Sequence, residues 1–233
     1  MSDLAAIRDW VREQTLVEST DWSNTKILNV INQGIRDLSV RFPWPFLATS
    51  NTLTTVAAQQ AYTYDTISDF AGTAQKLFEI EAIVDMDGRV KLEEIPAADA
   101  FKLYGGDMPT TTGATHFFTW GSSIYLLPTP SANDTDRYTV YYYRSPTELA
   151  NDTDTPEWDA RFHMVLAEYA IAKVWEREEE IGKSRAADQR YNEGVERMAQ
   201  FYLNRAQDYP AVLGGGKPLG YPQTDRANMT WLA

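Results

Sequence analysis

The chain has 233 residues, enough for one large or two small domains with an ample core, and its 43% hydrophobic content argues for globular structure. Cysteine is absent and histidine occurs only at His116 and His163, which excludes disulfides, thiolate catalysis and Cys- or His-rich metal sites, so no cofactor is expected. The net charge of −12 is concentrated between Pro43 and Pro156, where 15 acidic residues face 6 basic ones, so tight binding of that region to phosphate backbones is disfavoured.

The N-terminus, Met1 to Arg12, is amphipathic and carries acids, unlike a signal or transit peptide. No apolar run approaches the ~20 residues of a membrane helix. A product made in the cytoplasm, with no membrane partner, is therefore expected. Behind Ser2 or Asp3 as cap, Leu4, Ile7, Trp10 and Val11 fall at helical spacing. A second helix comes after the cap residues of Asp21-Trp22-Ser23-Asn24, with Ile27, Val30, Ile31, Ile35 and Leu38 as its apolar stripe and Pro43 as its stop. Phe42-Pro43-Trp44-Pro45-Phe46 then reads as an aromatic plug wedged between these helices and the strand-forming region beyond them.

From Leu53 to Arg144 the period shifts towards strands. Leu77 to Val84, a turn at Asp87-Gly88 and Val90 to Ile95 read as one hairpin. Phe117 to Trp120, Gly121-Ser122 and Ile124 to Leu127 read as a second, and Tyr138 to Tyr143 as a further strand. Ala97 to Tyr104 suits one or two helical turns ending at Gly105-Gly106. Helix returns at Thr155-Pro156-Glu157, a cap, proline and acid in the favoured order, with Phe162, Val165, Leu166, Tyr169, Ala172 and Trp175 as the apolar face. After a break near Gly182, a helix from Ser184 carries Ala187, Tyr191, Val195, Met198, Phe201 and Tyr202. The two should pair antiparallel, burying Tyr169, Trp175, Tyr191, Met198 and Phe201 between them. The expected class is α+β: a helical bundle with an inserted antiparallel β module. Its parts are residues 1–47 (N-terminal helices), 48–150 (β module), 151–207 (C-terminal helical hairpin) and 208–233 (extended arm).

That arm reads Asp208-Tyr209-Pro210, Gly214-Gly215-Gly216, Pro218, Gly220-Tyr221-Pro222 and Met229-Thr230-Trp231-Leu232. Glycine and proline at this density oppose helix and central strand. Tyr209, Val212, Leu213, Tyr221, Met229, Trp231 and Leu232 are nevertheless costly to leave in water. A segment without structure of its own and rich in apolar groups suits an arm that orders on another subunit or partner, the alternative being a strap on its own domain.

Signatures of chemistry are weak. Ile181-Gly182-Lys183-Ser184 resembles the end of a phosphate loop, but Arg177 stands where its first glycine belongs, and a helix runs where a strand is required. His116 and His163 lack a serine and carboxylate arrangement and read as structural. Glu178-Glu179-Glu180 lies beside Arg177 and Lys183 as a solvated, ion-paired face. Asp152 and Asp154 lack the glycine and distal glutamate of a calcium loop. Lys183, Arg185, Arg190, Arg197 and Arg205 alternate with acids, which suits salt bridges and not a nucleic-acid stripe. The aromatic strands Phe117 to Trp120 and Tyr138 to Tyr143 also allow a hydrolase or carbohydrate-binding module as the alternative function.

The chain resembles the head-to-tail adaptors, or connectors, of tailed bacteriophages. The resemblance is carried by Asn32-Gln33-Gly34-Ile35-Arg36-Asp37-Leu38, Phe42 to Phe46, Ile124-Tyr125-Leu126-Leu127-Pro128-Thr129-Pro130, Tyr143-Arg144-Ser145-Pro146-Thr147-Glu148-Leu149 and His163-Met164-Val165-Leu166-Ala167-Glu168-Tyr169-Ala170. It implies a non-enzymatic virion structural protein whose helices pack side by side in a ring, usually of twelve, beneath the portal protein. It also implies that the C-terminal arm (Tyr209, Val212, Leu213, Tyr221, Met229, Trp231, Leu232) grips the portal, that the β module meets the tail nozzle or other tail components, and that DNA passes without specific binding. Trp231 and Tyr221 are the expected anchors of the arm.

Overall fold

The computed structural model describes residues 3–64, 77–104 and 109–203. Over these the chain is α+β, with helices before and after a β region. Helix α1 (Leu4–Thr15) starts at Asp3, whose carboxylate accepts the Ala6 N–H at 2.9 Å. Leu4, Ile7 and Val11 are buried, but Trp10 is 39% exposed, contrary to its place in the expected stripe. The stripe runs on to Thr15, whose hydroxyl donates to the Val11 carbonyl, and Trp10 lies a further ~100° round the helix. Helix α2 (Asn24–Arg41) is capped by Ser23 and ends where Phe42 turns extended ahead of Pro43. Trp22, which the sequence offers only as part of a cap cluster, is a core residue, its indole N–H donating to Glu178 at 2.9 Å.

The return to helix comes later than Thr155-Pro156-Glu157 suggests. Glu157 instead receives a two-pronged pair from Arg144 at 3.0 Å and the Thr147 N–H at 3.2 Å, and Trp158 enters the core. A 3-10 turn, Ala160–Phe162, capped by Asp159, then leads into α4 (Met164–Arg177). The side chain and N–H of Arg161 hold the Asp159 carboxyl well below the usual carboxylate range. The break before α5 (Ile181–Leu203) falls at Glu178 to Glu180. Glu179, not Gly182, takes the positive φ (60°), and Gly182 lies inside the first turn of α5.

Helix α4 is buried on most sides because α1, α2 and α5 all pack on it. Two glycines permit the approach: a Cβ on Gly34 of α2 would lie 2.9 Å from the Tyr169 ring, and one on Gly194 of α5 would lie 2.9 Å from Val165. Tyr191 is fully buried and donates to Asp37 at 2.7 Å, and burial with that bond pushes its phenol far above the ordinary tyrosine value. Trp175 and Phe201, expected between α4 and α5, are only half-buried, and the Lys183 ammonium lies 4.3 Å from the Trp175 ring. The 3.6-residue period points both residues to the rim, while Ala170, Ile171 and Val174 take the interior.

Between the helices lie two four-stranded sheets. The first joins β1 (Ala48–Thr55), β10 (Asp134–Arg144), β3 (Leu77–Asp85) and β4 (Val90–Lys91) in that spatial order, all antiparallel. The second joins β2 (Ala61–Thr63), β8 (Ser123–Leu127), β7 (His116–Trp120) and β5 (Glu93–Glu94), with β5 parallel to β7. A small parallel pair, β6 (Thr110–Thr111) and β9 (Thr129–Pro130), stands beside them. Leu53, Ile83, Tyr138 and Val140 of the first sheet share a core with Tyr62, Phe117, Ile124 and Leu126 of the second. Helix α3 (Ala97–Tyr104) covers the second sheet's other face, where Ala100 meets Phe118 and Leu127.

The hairpin of β7 and β8 has the expected two-residue turn, with positive φ at Gly121. The hairpin expected around Asp87-Gly88 is shorter than its pattern. Only Val84 and Asp85 pair with Lys91 and Val90, the chain then crosses to the second sheet, and Arg89, not Gly88, takes the positive φ. Asp85 organises that turn by accepting the Asp87 and Gly88 N–H groups while its other oxygen pairs with Arg137 at 2.7 Å.

Burial alone would raise the Asp85 pKa, but the bonds from Arg137, Gly88 and Asp87 outweigh it, and the carboxyl sits below its ordinary value. A folded pKa below the unfolded one means that this stabilisation is complete above about pH 4 and is lost as pH falls through the folded value. Asp85→Asn is therefore expected to lower the urea midpoint at pH 7 and to flatten its decline below about pH 4. Parallel acid limbs for variant and wild type would show that Asp85 titrates alike in both states.

Candidate interaction surfaces

The N-terminal helices are tied to the loop that follows β10 by polar bonds across long sequence distances. Asn32 of α2 exchanges two hydrogen bonds with the Leu149 backbone, at 2.9 and 3.0 Å. The first N–H groups of α1 donate to the carbonyls of Asp154 and Asp152, and Arg8 forks onto the Asp152 carboxylate. Asp154 in turn accepts the Ala150 and Asn151 N–H groups and so closes a local turn. The loop after β10 is thus fastened to α1 and α2.

Where the two regions meet, the sequence's aromatic plug is a packed cluster. Trp44 is fully buried, donates to the Leu38 carbonyl at 2.7 Å and stacks on Phe46 at 5.6 Å. Phe46 meets Trp158 and, from the end of α5, Tyr202 at 5.2 Å, whose hydroxyl accepts the Asp159 N–H. The last described turn of α5 is therefore anchored beside the start of β1. Residues 204–233 continue from that point, and the seven arm residues, Tyr209, Val212, Leu213, Tyr221, Met229, Trp231 and Leu232, lie outside the described residues.

On the β region, strand alternation divides the aromatic residues that suggested a sugar platform. Phe117, Tyr138 and Tyr142 belong to the core, whereas Trp120 is 64% and Tyr141 42% exposed. Phe101, Phe118, Trp120, Tyr125 and Gln60 line a shallow cavity of about 270 Å³, with Phe118 stacked on Tyr125 at 4.7 Å.

The candidate chemical residues lie apart. His163 is buried with its Nε2 3.0 Å from the Trp158 carbonyl, while His116 sits at the start of β7 with its Nδ1 2.8 Å from the Thr115 hydroxyl. Gly182, Lys183 and Ser184 lie in the first turn of α5, and Lys183 faces Glu180. Arg190 pairs with Glu168 at 2.8 Å and Arg197 with Glu193 at 3.6 Å, as the alternating charges of this helix suggest, while Arg205 lies outside the described residues. Among the described residues no cluster of histidine and carboxylate side chains is placed to hold a metal, and no helix is long and apolar enough to cross a membrane.

Comparison with protein families finds the SU10 adaptor protein family, whose model matches residues 2–214. No curated protein matches the chain.

Proposed function

The chain belongs to the SU10 adaptor protein family, a phage structural family, and from that premise we propose that it forms a ring beneath the portal, joins head to tail and lets DNA pass. The observation that carries this reading is the family match, which takes in both helical regions, the β region and the first part of the tail. In the virion each copy engages the portal through Tyr209, Val212, Leu213, Tyr221, Met229, Trp231 and Leu232 and presents its β module to the tail nozzle or other tail components. A twelve-fold ring suits the family resemblance. Each arm needs only modest affinity, because copies held in one ring raise the effective concentration of the remaining arms. The protein acts without catalysis or cofactor.

The test is mass measurement of the protein alone and mixed with its portal. A defined multimeric complex is expected, and failure to form one overturns the adaptor reading. The passive conduit adds a prediction of its own. A wall that grips phosphates would hold DNA strongly at low salt, and the chain carries 33 acidic against 21 basic residues. Duplex DNA is expected to bind the assembled complex no more tightly than roughly 100 µM at physiological salt. Fluorescence anisotropy showing micromolar binding with a steep salt slope would point to a ring that grips DNA.

A further inference from the structure

The first sheet has two unlike edges. On one side β4 is two residues long, comes directly after Arg89 and contains Lys91, a short charged edge of the kind that resists strand addition. On the other, β1 runs eight residues, Ala48–Thr55, with neither charge nor proline, and no described strand lies beyond it. The Ala48 N–H goes back to the Pro45 carbonyl and the Thr52 N–H to the Asn51 side chain, so even-numbered residues direct their amides away from β10. Ser50, exposed between them, presents its backbone to the open side.

A second feature lies on the same face. Tyr141 pairs with Ala82 but Tyr142 with Ile80, so Glu81 is an extra residue in β3. Bulges of this kind re-aim a side chain. Glu81 is exposed, pairs with no cation among the described residues, and lines a groove of about 390 Å³ with Tyr141, Ala48, Thr49 and Ser50. The cross-strand neighbours of Tyr141 are Ser50 and Ala82, too small to cover its ring. The Ser50 stretch of this edge, flanked by the bonded amides of Ala48 and Thr52, thus stands beside an exposed aromatic ring and a carboxylate that is unpaired among the described residues.

We infer that the β1 edge takes an extended segment of a tail component as an added strand, with a lysine or arginine of that segment lying in the groove of Tyr141 and Glu81. Main-chain bonds along an open edge supply affinity, and a side-chain groove beside it supplies selectivity. The alkyl stem of the incoming cation lies along Tyr141 and its charged head meets Glu81. The acidic excess of this region attracts a basic segment and repels an acidic one. The contact rests on the adaptor reading and assigns its tail-facing side.

The experiment uses the full-length protein with its portal and, as probe, the purified tail protein that succeeds the adaptor in the virion. Hydrogen exchange of residues 48–55 is expected to slow when the probe binds. Ser50→Pro, which removes an outward N–H without touching the β10 ladder, and Glu81→Lys should each weaken probe binding at least tenfold, with wild-type portal attachment and melting temperature. If Ser50→Pro fails to fold, Glu81→Lys and a milder Glu81→Gln loss still decide the matter. Undiminished binding by the Glu81 variants, or unchanged exchange at 48–55 on binding, overturns the contact. Slowed exchange that appears on self-assembly without the probe overturns it in favour of a second copy of this chain. Portal attachment in the same preparation separates the two levels: a wild-type protein that binds neither portal nor probe overturns the adaptor reading as well, whereas one that binds the portal alone overturns only the tail contact.

Discussion

Replacing Trp44 by alanine is expected to destabilise the protein by about 3–5 kcal/mol, through the cavity left by a fully buried indole. The loss extends beyond apolar area. The indole N–H satisfies the Leu38 carbonyl at the end of α2, and the ring meets Phe42, Phe46 and Tyr202 at centroid distances of 5.3 to 6.3 Å. Truncation therefore leaves a buried acceptor unpaired and loosens the place where α2, the end of α5 and the start of β1 meet. Urea unfolding should show a lower midpoint with an unchanged slope. A loss below about 1 kcal/mol would mean that the cluster collapses around the gap. Trp175→Ala is expected to cost less, because that ring is half-buried beneath Lys183.

Deleting residues 217–233 is expected to abolish portal attachment while the remaining chain melts where the full chain does. Gly220 and the prolines at 218 and 222 give this stretch little part in a cooperative core, yet Tyr221, Met229, Trp231 and Leu232 offer apolar anchors. Within it, Trp231→Ala should cost on the order of 2 kcal/mol of docking, roughly 30-fold in affinity. A fall in melting temperature beyond ~4 °C on truncation, about 1 kcal/mol or more, would instead identify the tail as an intramolecular strap.

Local pattern sufficed wherever one residue's chemistry decides one element. The places of the first two helix caps to within a residue or two, Pro43 as a stop, Gly121 in a two-residue hairpin and the 3.6-residue stripe of α2 were all legible, because each depends on neighbours within a turn or two. The adaptor family was legible in the same way, from short stretches in a characteristic order. Pairing between distant segments was decided only in the tertiary structure. Glu157 looks like the acid of a helix N-terminus, yet Arg144 claims it and α4 begins seven residues later. Val90 to Ile95 looks like one continuous hairpin strand, yet the chain crosses between sheets because Leu92 is buried in the core they share. The extra residue at Glu81 has no signature along the chain, since a bulge is a mismatch of register between two strands more than fifty residues apart. Composition and periodicity report what a segment prefers by itself, and only the partner across the fold determines which preference is met.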